Sequence, residues 1–531
     1  MTGLFLTVLL AGIVALTLVA KKLRVPYPIV FVIGGLVLAL IPGVPTVTLA
    51  PETVFLLFLP ALIFGDGWTT DYHAFKRFYQ PIFMLAIGLV AFTSVIVAYV
   101  AHWLMGFPLA LGFVLGAILS PTDAVATDAI AEDVGLPRTL LTIVSGESLV
   151  NDATGLVIYR FAVIAVATGA FSLLNAAASF VYVVVAGVAV GLALGWLISK
   201  IAIAIRRAGL SDNLIAVSIS LVTPFALYVP AEAIHASGVL AAMSGGIYMS
   251  RKSTHIFDAD ARIATASVWN LLFFVFNGAA FVLIGLQLRT IVHGLAGYSL
   301  ATLIGWSLVI AVVVILVRYV WMFPAAYGRR YAFPKIRERE GPDPPWQWVF
   351  ILSTAGMRGI VSLAAALALP ETIAGGAPFP QRDLILFVTF VVILVTLVGE
   401  GLALPWLIRR WGVRDASDDG RTVAVVRVRI AEAVRDHLRT LETSFSSTAE
   451  WEVAGRLHAD YEQRVSHFSA HAEGAEPVDD AQQHAIERRM RREAYGAERR
   501  ALAELRRGAE ITDDVYRSLE WDLDLAESRL E

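Results

Sequence analysis

Four ionisable side chains stand well inside long apolar runs: Asp123, Glu147, Asp152 and Arg358. On translocon scales a central Asp or Arg costs roughly 2.5–3.5 kcal/mol to place in a bilayer, so such residues are functional candidates by default. Asp66, Asp128, Arg160, Glu232, Arg318 and Glu400 lie nearer the ends of their runs or off-centre. The segment Ser120-Pro121-Thr122-Asp123 sets a proline two residues before an acid. Pro121 lacks an N–H and clashes with the preceding turn, which opens a helix and frees carbonyls. Irregular backbone at membrane depth is tolerated only where it is buried in protein or lines a cavity. Free carbonyls, the Thr122 hydroxyl and the Asp123 carboxylate together make an oxygen-rich site of the kind hard cations such as sodium prefer.

A second constellation is Ser145-Gly146-Glu147-Ser148-Leu149-Val150-Asn151-Asp152. Helical spacing puts Ser148 and Asp152 on one face, and Glu147 and Asn151 on another. Glu147 and Asp152 are about 140° apart around a helix of 3.6 residues per turn, so their tasks differ. Asp152 with Ser148 suits a cation. Glu147 wants a permanent counter-charge, and Arg358, in Gly356-Met357-Arg358-Gly359, is the expected partner in a structural ion pair. The glycines flanking Arg358 mark a second interrupted helix.

These residues need a frame of membrane spans. Hydrophobic residues make up 57% of the 531 and charged residues 16%, against a usual ~45–50% and ~25%. That composition excludes an ordinary cytosolic enzyme and a disordered chain. A net charge of −3 argues against a nucleic-acid partner, and the absence of cysteine excludes disulfides, thiolate metal sites and cysteine nucleophiles. A crossing helix needs about 20 apolar residues. Thirteen candidate spans follow: 3–20, 26–42, 50–66, 81–104, 108–131, 139–168, 173–200, 211–230, 235–250, 264–288, 297–325, 346–370 and 383–408. The first is not a cleaved signal, because Lys21, Lys22 and Arg24 follow the apolar run instead of preceding it. With thirteen crossings, one set of alternate loops holds sixteen Lys and Arg, from Lys21 to Arg339, and the other holds Arg289 and Arg382. The bias places the N-terminus outside and the C-terminus in the cytoplasm of a cell bounded by this membrane.

The expected fold is therefore an all-α polytopic membrane protein with thirteen transmembrane helices. Spans 5 and 12, both interrupted, are seven apart and cross in opposite directions. Paired broken helices in inverted repeats point to a transporter's midplane site. Spans 4–6 and 11–13 form the expected ion-translocating core within a membrane domain, 1–410. The remaining 411–531 hold 44 of the 87 charges and read as a cytoplasmic helical regulatory tail, with helices over 422–470 and 481–508 and a break at Gly474–Pro477. Five of the ten histidines lie there, and histidine titrates near physiological pH.

Pro121-Thr122-Asp123, Gly146-Glu147-Ser148, Asn151-Asp152 and Gly356-Met357-Arg358-Gly359 together resemble the sodium/proton antiporters of the cation:proton antiporter-1 family. The resemblance covers the whole membrane region. It implies a homodimer with a rigid dimerisation domain and a mobile six-helix core in the plasma (inner) membrane. It implies that Asp152 is the essential cation- and proton-binding carboxylate and Asn151 its motif partner. Ser148 and Thr122 would be further sodium ligands, and Asp123 would act through water or hold the site. Many members carry a glutamate in span 3 after a Leu-Pro-rich run. Here Leu59-Pro60-Ala61-Leu62-Ile63-Phe64 leads to Gly65 and then Asp66, which is either a further ion-binding group or an interfacial cap.

The chemistry expected is competition. A carboxylate away from water is costly as an anion, so Asp152 holds either a proton or a sodium ion, and either one lets the core cross. With Asn151 in place of a second acid, one titrating charge moves and exchange is electroneutral and one for one. No cofactor and no ATP enter. Potassium/proton exchange remains an alternative, as does a cation channel or a membrane sensor with the tail as output. A membrane-embedded hydrolase using His102, His235 or His293 lacks a serine elbow or a metal-binding histidine pair.

Overall fold

The computed structural model describes residues 2–41, 58–169, 173–293, 295, 297–328, 331, 343–373, 376–413, 419–441, 447–472, 478–507 and 513–528. The described regular structure is helical, apart from one isolated bridge between Thr372 and Pro378. The chain divides into two compact units, Met1–Arg414 and Asp415–Glu531.

In the first unit the helices are α1 (Thr2–Leu23), α2 (Tyr27–Leu40), α3 (Leu59–Thr69) and the short α4 (Tyr72–Arg77). Then come α5 (Tyr79–Met105), α6 (Leu109–Leu119), α7 (Ala124–Val134) and α8 (Arg138–Thr168). Next are α9 (Leu173–Arg207), α10 (Asn213–Ala233), α11 (Gly238–Ile256), α12 (Ala259–His293) and α13 (Leu300–Phe323). The last are α14 (Trp346–Thr354), α15 (Ile360–Leu367) and α16 (Arg382–Trp411). Among the described residues, eight helices are long and apolar enough to cross a membrane. Residues 50–57 of the third expected span, five of the sixteen basic loop residues and the expected break at Gly474–Pro477 lie outside the described residues.

Local sequence sets the helix starts. Pro26, Pro108, Pro137 and Pro345 immediately precede α2, α6, α8 and α14, where a missing N–H costs nothing. The side chains of Asp71, Asp212, Ser237 and Ser299 cap α4, α10, α11 and α13 by accepting backbone N–H bonds.

Packing sorts the spans into two groups. In one, α2 lies against α12 so closely that a Cβ on Gly35 would stand 2.1 Å from the Val282 carbonyl oxygen; small residues permit such backbone approach in lipid. The α3 helix is tied to α11 by the Ser250 hydroxyl, which donates to the Trp68 carbonyl at 2.6 Å. The Ser237 amide at the start of α11 donates to the Val183 carbonyl of α9 at 3.2 Å. In the other group, α5 meets α13 through Phe92 and Trp321, with ring centroids 5.2 Å apart. Tyr319 of α13 packs on Phe350 of α14 at 4.9 Å, and Phe350 packs on Trp411 of α16 at 5.2 Å. The Arg160–Glu232 ion pair, at 2.7 Å and partly exposed, joins α8 to α10.

The second unit consists of α17 (Asp419–Leu441), α18 (Thr448–Ala472), α19 (Val478–Arg507) and α20 (Asp513–Ser528). The expected helical region 422–470 falls on α17 and α18. They run antiparallel: Arg439 donates to His458 at 3.2 Å and Arg427 stacks over Phe468 at 5.3 Å. Likewise α19 and α20 are stitched by Arg499 to Asp524 and Glu527, and by Arg506 over the Tyr516 ring at 4.5 Å.

Candidate ion-binding site at the crossing of two broken helices

The expected interruptions are both present. Pro121, Thr122 and Asp123 are non-helical between α6 and α7, and residues 355–359 are non-helical between α14 and α15. The two breaks hydrogen-bond to one another: the Asp123 amide donates to the Met357 carbonyl at 2.8 Å. Unwound backbone in each segment thus satisfies part of the other, which makes the crossing tolerable at membrane depth.

Charge at the crossing follows the helix ends. Asp123 accepts from the Val125 amide at 2.9 Å and from the Ile360 amide at 3.3 Å, so its carboxylate sits on the N-terminal, partly positive ends of both α7 and α15. The approach is so close that a Cβ on Gly359 would fall 1.6 Å from the Asp123 carboxylate. Arg358 does the converse. Its Nε donates to the Leu119 carbonyl at 3.2 Å, at the C-terminal end of α6, and its Nη1 donates to the Gly356 carbonyl. The Arg358 amide is held by the Thr396 hydroxyl of α16 at 3.2 Å.

The expected Glu147–Arg358 pair is therefore corrected. The Glu147 carboxylate is gripped on both oxygens by Arg318 of α13, through Nη1 and, at 2.8 Å, Nη2, with both residues 1% exposed. Arg318 also donates to the Leu352 carbonyl, at 3.2 Å through Nε and 3.0 Å through Nη2. The reason is local. Arg358 stands on unwound backbone, whose spare carbonyls satisfy its guanidinium. Arg318 stands on a continuous apolar helix and needs a carboxylate.

Ser148 of α8 threads the first break, donating to the Thr122 carbonyl at 2.9 Å and accepting from the Ala124 amide at 3.2 Å. The Thr122 hydroxyl accepts from Asn151 Nδ2 at 2.8 Å and donates to Glu147 at 3.3 Å. Asn151 does not line the cavity beside these groups; it acts on Thr122.

That cavity, of about 30 Å³, is lined by Asp66, Thr122, Asp123, Ser148 and Asp152 together with Gly359, Ile360 and Ser362 and an apolar wall that includes Leu59, Leu62 and Ile63. A water-sized guest needs about 10–15 Å³, so the space suits one small ion with little of its hydration shell. Three carboxylates line it and no Lys, Arg or His does. Asp152 is 7% exposed, and the charges acting on it are the carboxylates of Asp123 and Asp66. Asp66 of α3 is exposed at the protein surface and also lines the cavity. Sequence reasoning missed Ser362 altogether. Its one signal was a hydroxyl in the first turn of a helix resuming after a glycine break. Glu400 of α16, 5% exposed, lies beside the Gly356 amide and within electrostatic reach of Arg358 and Arg318.

Residues 5–410 match the family model described as sodium/hydrogen exchanger, transmembrane. The sodium, potassium, lithium and rubidium/H+ antiporter of Bacillus subtilis is 36% identical over 419 residues, covering 76% of this chain and 61% of the relative. A protein of the same description from Bacillus pumilus is 35% identical, covering 72% and 58%. The chain thus spans about three-fifths of the length of these Bacillus relatives. An uncharacterized Na+/H+ exchanger of Mycobacterium tuberculosis is 33% identical over 528 residues, covering 98% of this chain and 95% of the relative. In fold, the sodium proton antiporter MjNhaP1 of Methanocaldococcus jannaschii superposes with a TM-score of 0.60 at 19% identity, over 76% of this chain and 98% of that one. The broken crossing, the acid-lined cavity and these matches agree: the chain belongs to the sodium/hydrogen exchanger family, an integral membrane family of transporters and not of enzymes.

Proposed function

We propose that the protein is a monovalent cation/proton antiporter that exchanges Na+ for H+ one for one by alternating access of Asp152. The observation that carries this reading is the cavity wall, with three carboxylates and no basic side chain. Asp123 is already balanced by two helix N-termini, and Asp66 is exposed at the protein surface. Asp152 is left buried beside like charges. A bound cation or a bound proton relieves it equally, and occupancy by one excludes the other. Thirteen crossings arise if α6–α7 and α14–α15 each count as one span. The core is then α5–α8 with α13–α16, and it moves against a scaffold of α1–α3 and α9–α12, which carries the contact to a second copy in a homodimer. Asp66, on α3, stays with the scaffold, so one titrating charge travels and exchange is electroneutral. The N-terminus lies outside and the tail, as a regulatory element, in the cytoplasm of a cell whose plasma membrane holds the protein.

A broader cation range has its own support. The Bacillus relatives carry names that include potassium, lithium and rubidium with sodium, and hydroxyl, carbonyl and carboxylate oxygens serve each of these ions. Proteoliposomes under a clamped potential test both readings. Sodium should drive proton movement, with equal rates at either sign of the potential. Asp152→Asn should abolish exchange while the protein still extracts and melts as the native chain does. Exchange retained in Asp152→Asn would remove the carboxylate from its role. Equal half-saturation by Na+ and K+ would replace sodium selectivity by the broader range.

A further inference from the structure

We propose that Ser362, on the second broken helix, is a direct oxygen ligand for the transported cation; this deepens the antiport reading and rests on it. Ser362 is 2% exposed, it lines the cavity shared by Asp152 and Asp123, and its Oγ has no hydrogen-bond partner among the described residues. A buried hydroxyl left unpaired costs free energy that a ligand in the cavity would return.

Several other serines of the membrane helices find an acceptor by returning their hydroxyl to the carbonyl four residues earlier. Ser94 does so to Val90 at 2.8 Å, Ser199 to Gly195 at 2.7 Å, Ser307 to Leu303 at 2.7 Å and Ser353 to Val349 at 2.8 Å. Ser362 cannot. Its helix begins at Ile360, so the residue four back, Arg358, is on the unwound segment. The break that brings Ser362 to the cavity also strips it of its usual acceptor.

The other neutral hydroxyls in the wall are committed. Ser148 donates to the Thr122 carbonyl and accepts from Ala124. Thr122 accepts from Asn151 and donates to Glu147. A cation reaching Asp152 therefore finds one uncommitted hydroxyl in the wall, and it comes from the opposite half of the crossing. A cation needs several oxygens at once, whereas a proton is satisfied by the Asp152 carboxylate alone. Ser362 thus weights the competition toward the cation and sets cation affinity without setting proton affinity.

The test uses the full chain in proteoliposomes. Ser362→Ala should raise the Na+ concentration for half-maximal exchange about tenfold, the scale of one lost oxygen contact, with the maximal rate within about twofold of native. Ser362→Thr, which keeps the oxygen, should restore half-saturation to within about threefold. Unchanged half-saturation in Ser362→Ala for Na+, Li+ and K+ alike overturns the proposal. So does a loss confined to the maximal rate, which is the mark of a packing role. If Ser362→Ala reconstitutes poorly, the midpoint for thermal stabilisation by NaCl in detergent decides: a higher midpoint than native supports the ligand, and an equal one overturns it. Failure of the antiport reading looks different, because the native protein would then show no sodium-coupled proton movement.

Discussion

Removing Arg318 should do far more damage than removing Arg358, and only Arg318 should couple strongly to Glu147. In the native chain Arg318 meets both oxygens of Glu147 and the Leu352 carbonyl, with 1% of either ionic side chain exposed. Arg318→Met strands the Glu147 carboxylate with the Thr122 hydroxyl as its remaining hydrogen-bond partner. Breaking one side of a buried pair costs about 3–5 kcal/mol. The freed Leu352 carbonyl adds about 1 kcal/mol. Glu147→Gln strands the guanidinium at comparable cost. The double variant removes both charges at once, so the two losses should not add, and the coupling should fall at about 2–3 kcal/mol. The cycle joining Glu147→Gln with Arg358→Met should couple several-fold less, since Arg358 spends its donors on carbonyls of Leu119 and Gly356. Unfolding of purified protein by titrated denaturing detergent, followed by tryptophan fluorescence, reads all of these. Equal couplings for the two arginines, or a neutral Arg318→Met, would refute the reasoning.

Gly359→Ala should abolish exchange, because its Cβ would meet the Asp123 carboxylate at 1.6 Å, while Gly399→Ala, with nothing within 4 Å, should exchange as the native protein does. If proton and sodium share Asp152, half-saturating Na+ should rise about tenfold for each unit the pH falls on the acid limb; a half-saturation flat with pH while the rate falls would rule out competition. The Arg160–Glu232 pair spans the proposed moving and fixed groups and is only partly buried. Glu232→Gln should therefore change the maximal rate with a stability loss of at most about 1 kcal/mol, and an unchanged rate would show that the pair does not break during transport.

The crossing was legible in sequence because its causes are covalent. Pro121 has no N–H, and Gly356 and Gly359 flank a charge in an apolar run, so both breaks fall where residue type puts them. The four-residue spacing that sets Ser148 and Asp152 on one face also survived, as both line the cavity. What sequence did not give was which side chain of one span meets which of another. Two acids, Glu147 and Glu400, and two guanidiniums, Arg318 and Arg358, allow two pairings, and the choice depends on how α13 is rotated about its axis. One physical argument would have favoured the right one: a cation on unwound backbone can live on carbonyls, and a cation on an unbroken helix cannot. Nor did spacing say what the Asn151 amide would meet, which is the Thr122 hydroxyl on another segment.

The distribution of charge in this core divides fixed groups from one variable group. Glu147 is cancelled by Arg318, and both lie outside the cavity wall. Asp123 and Arg358 are each cancelled by helix ends that the same two breaks create, so the interruption that opens the site also supplies the field that holds its permanent charges. Glu400 lies within reach of two guanidiniums. Asp152, 7% exposed, faces the carboxylates of Asp123 and Asp66. On the proposed antiport reading, its counter-charge comes from the ion that enters, and obligatory exchange would follow from that one charge left to be met. With the charge unmet, the core would have to carry a bare anion through an apolar barrier, and that cost couples the two ions.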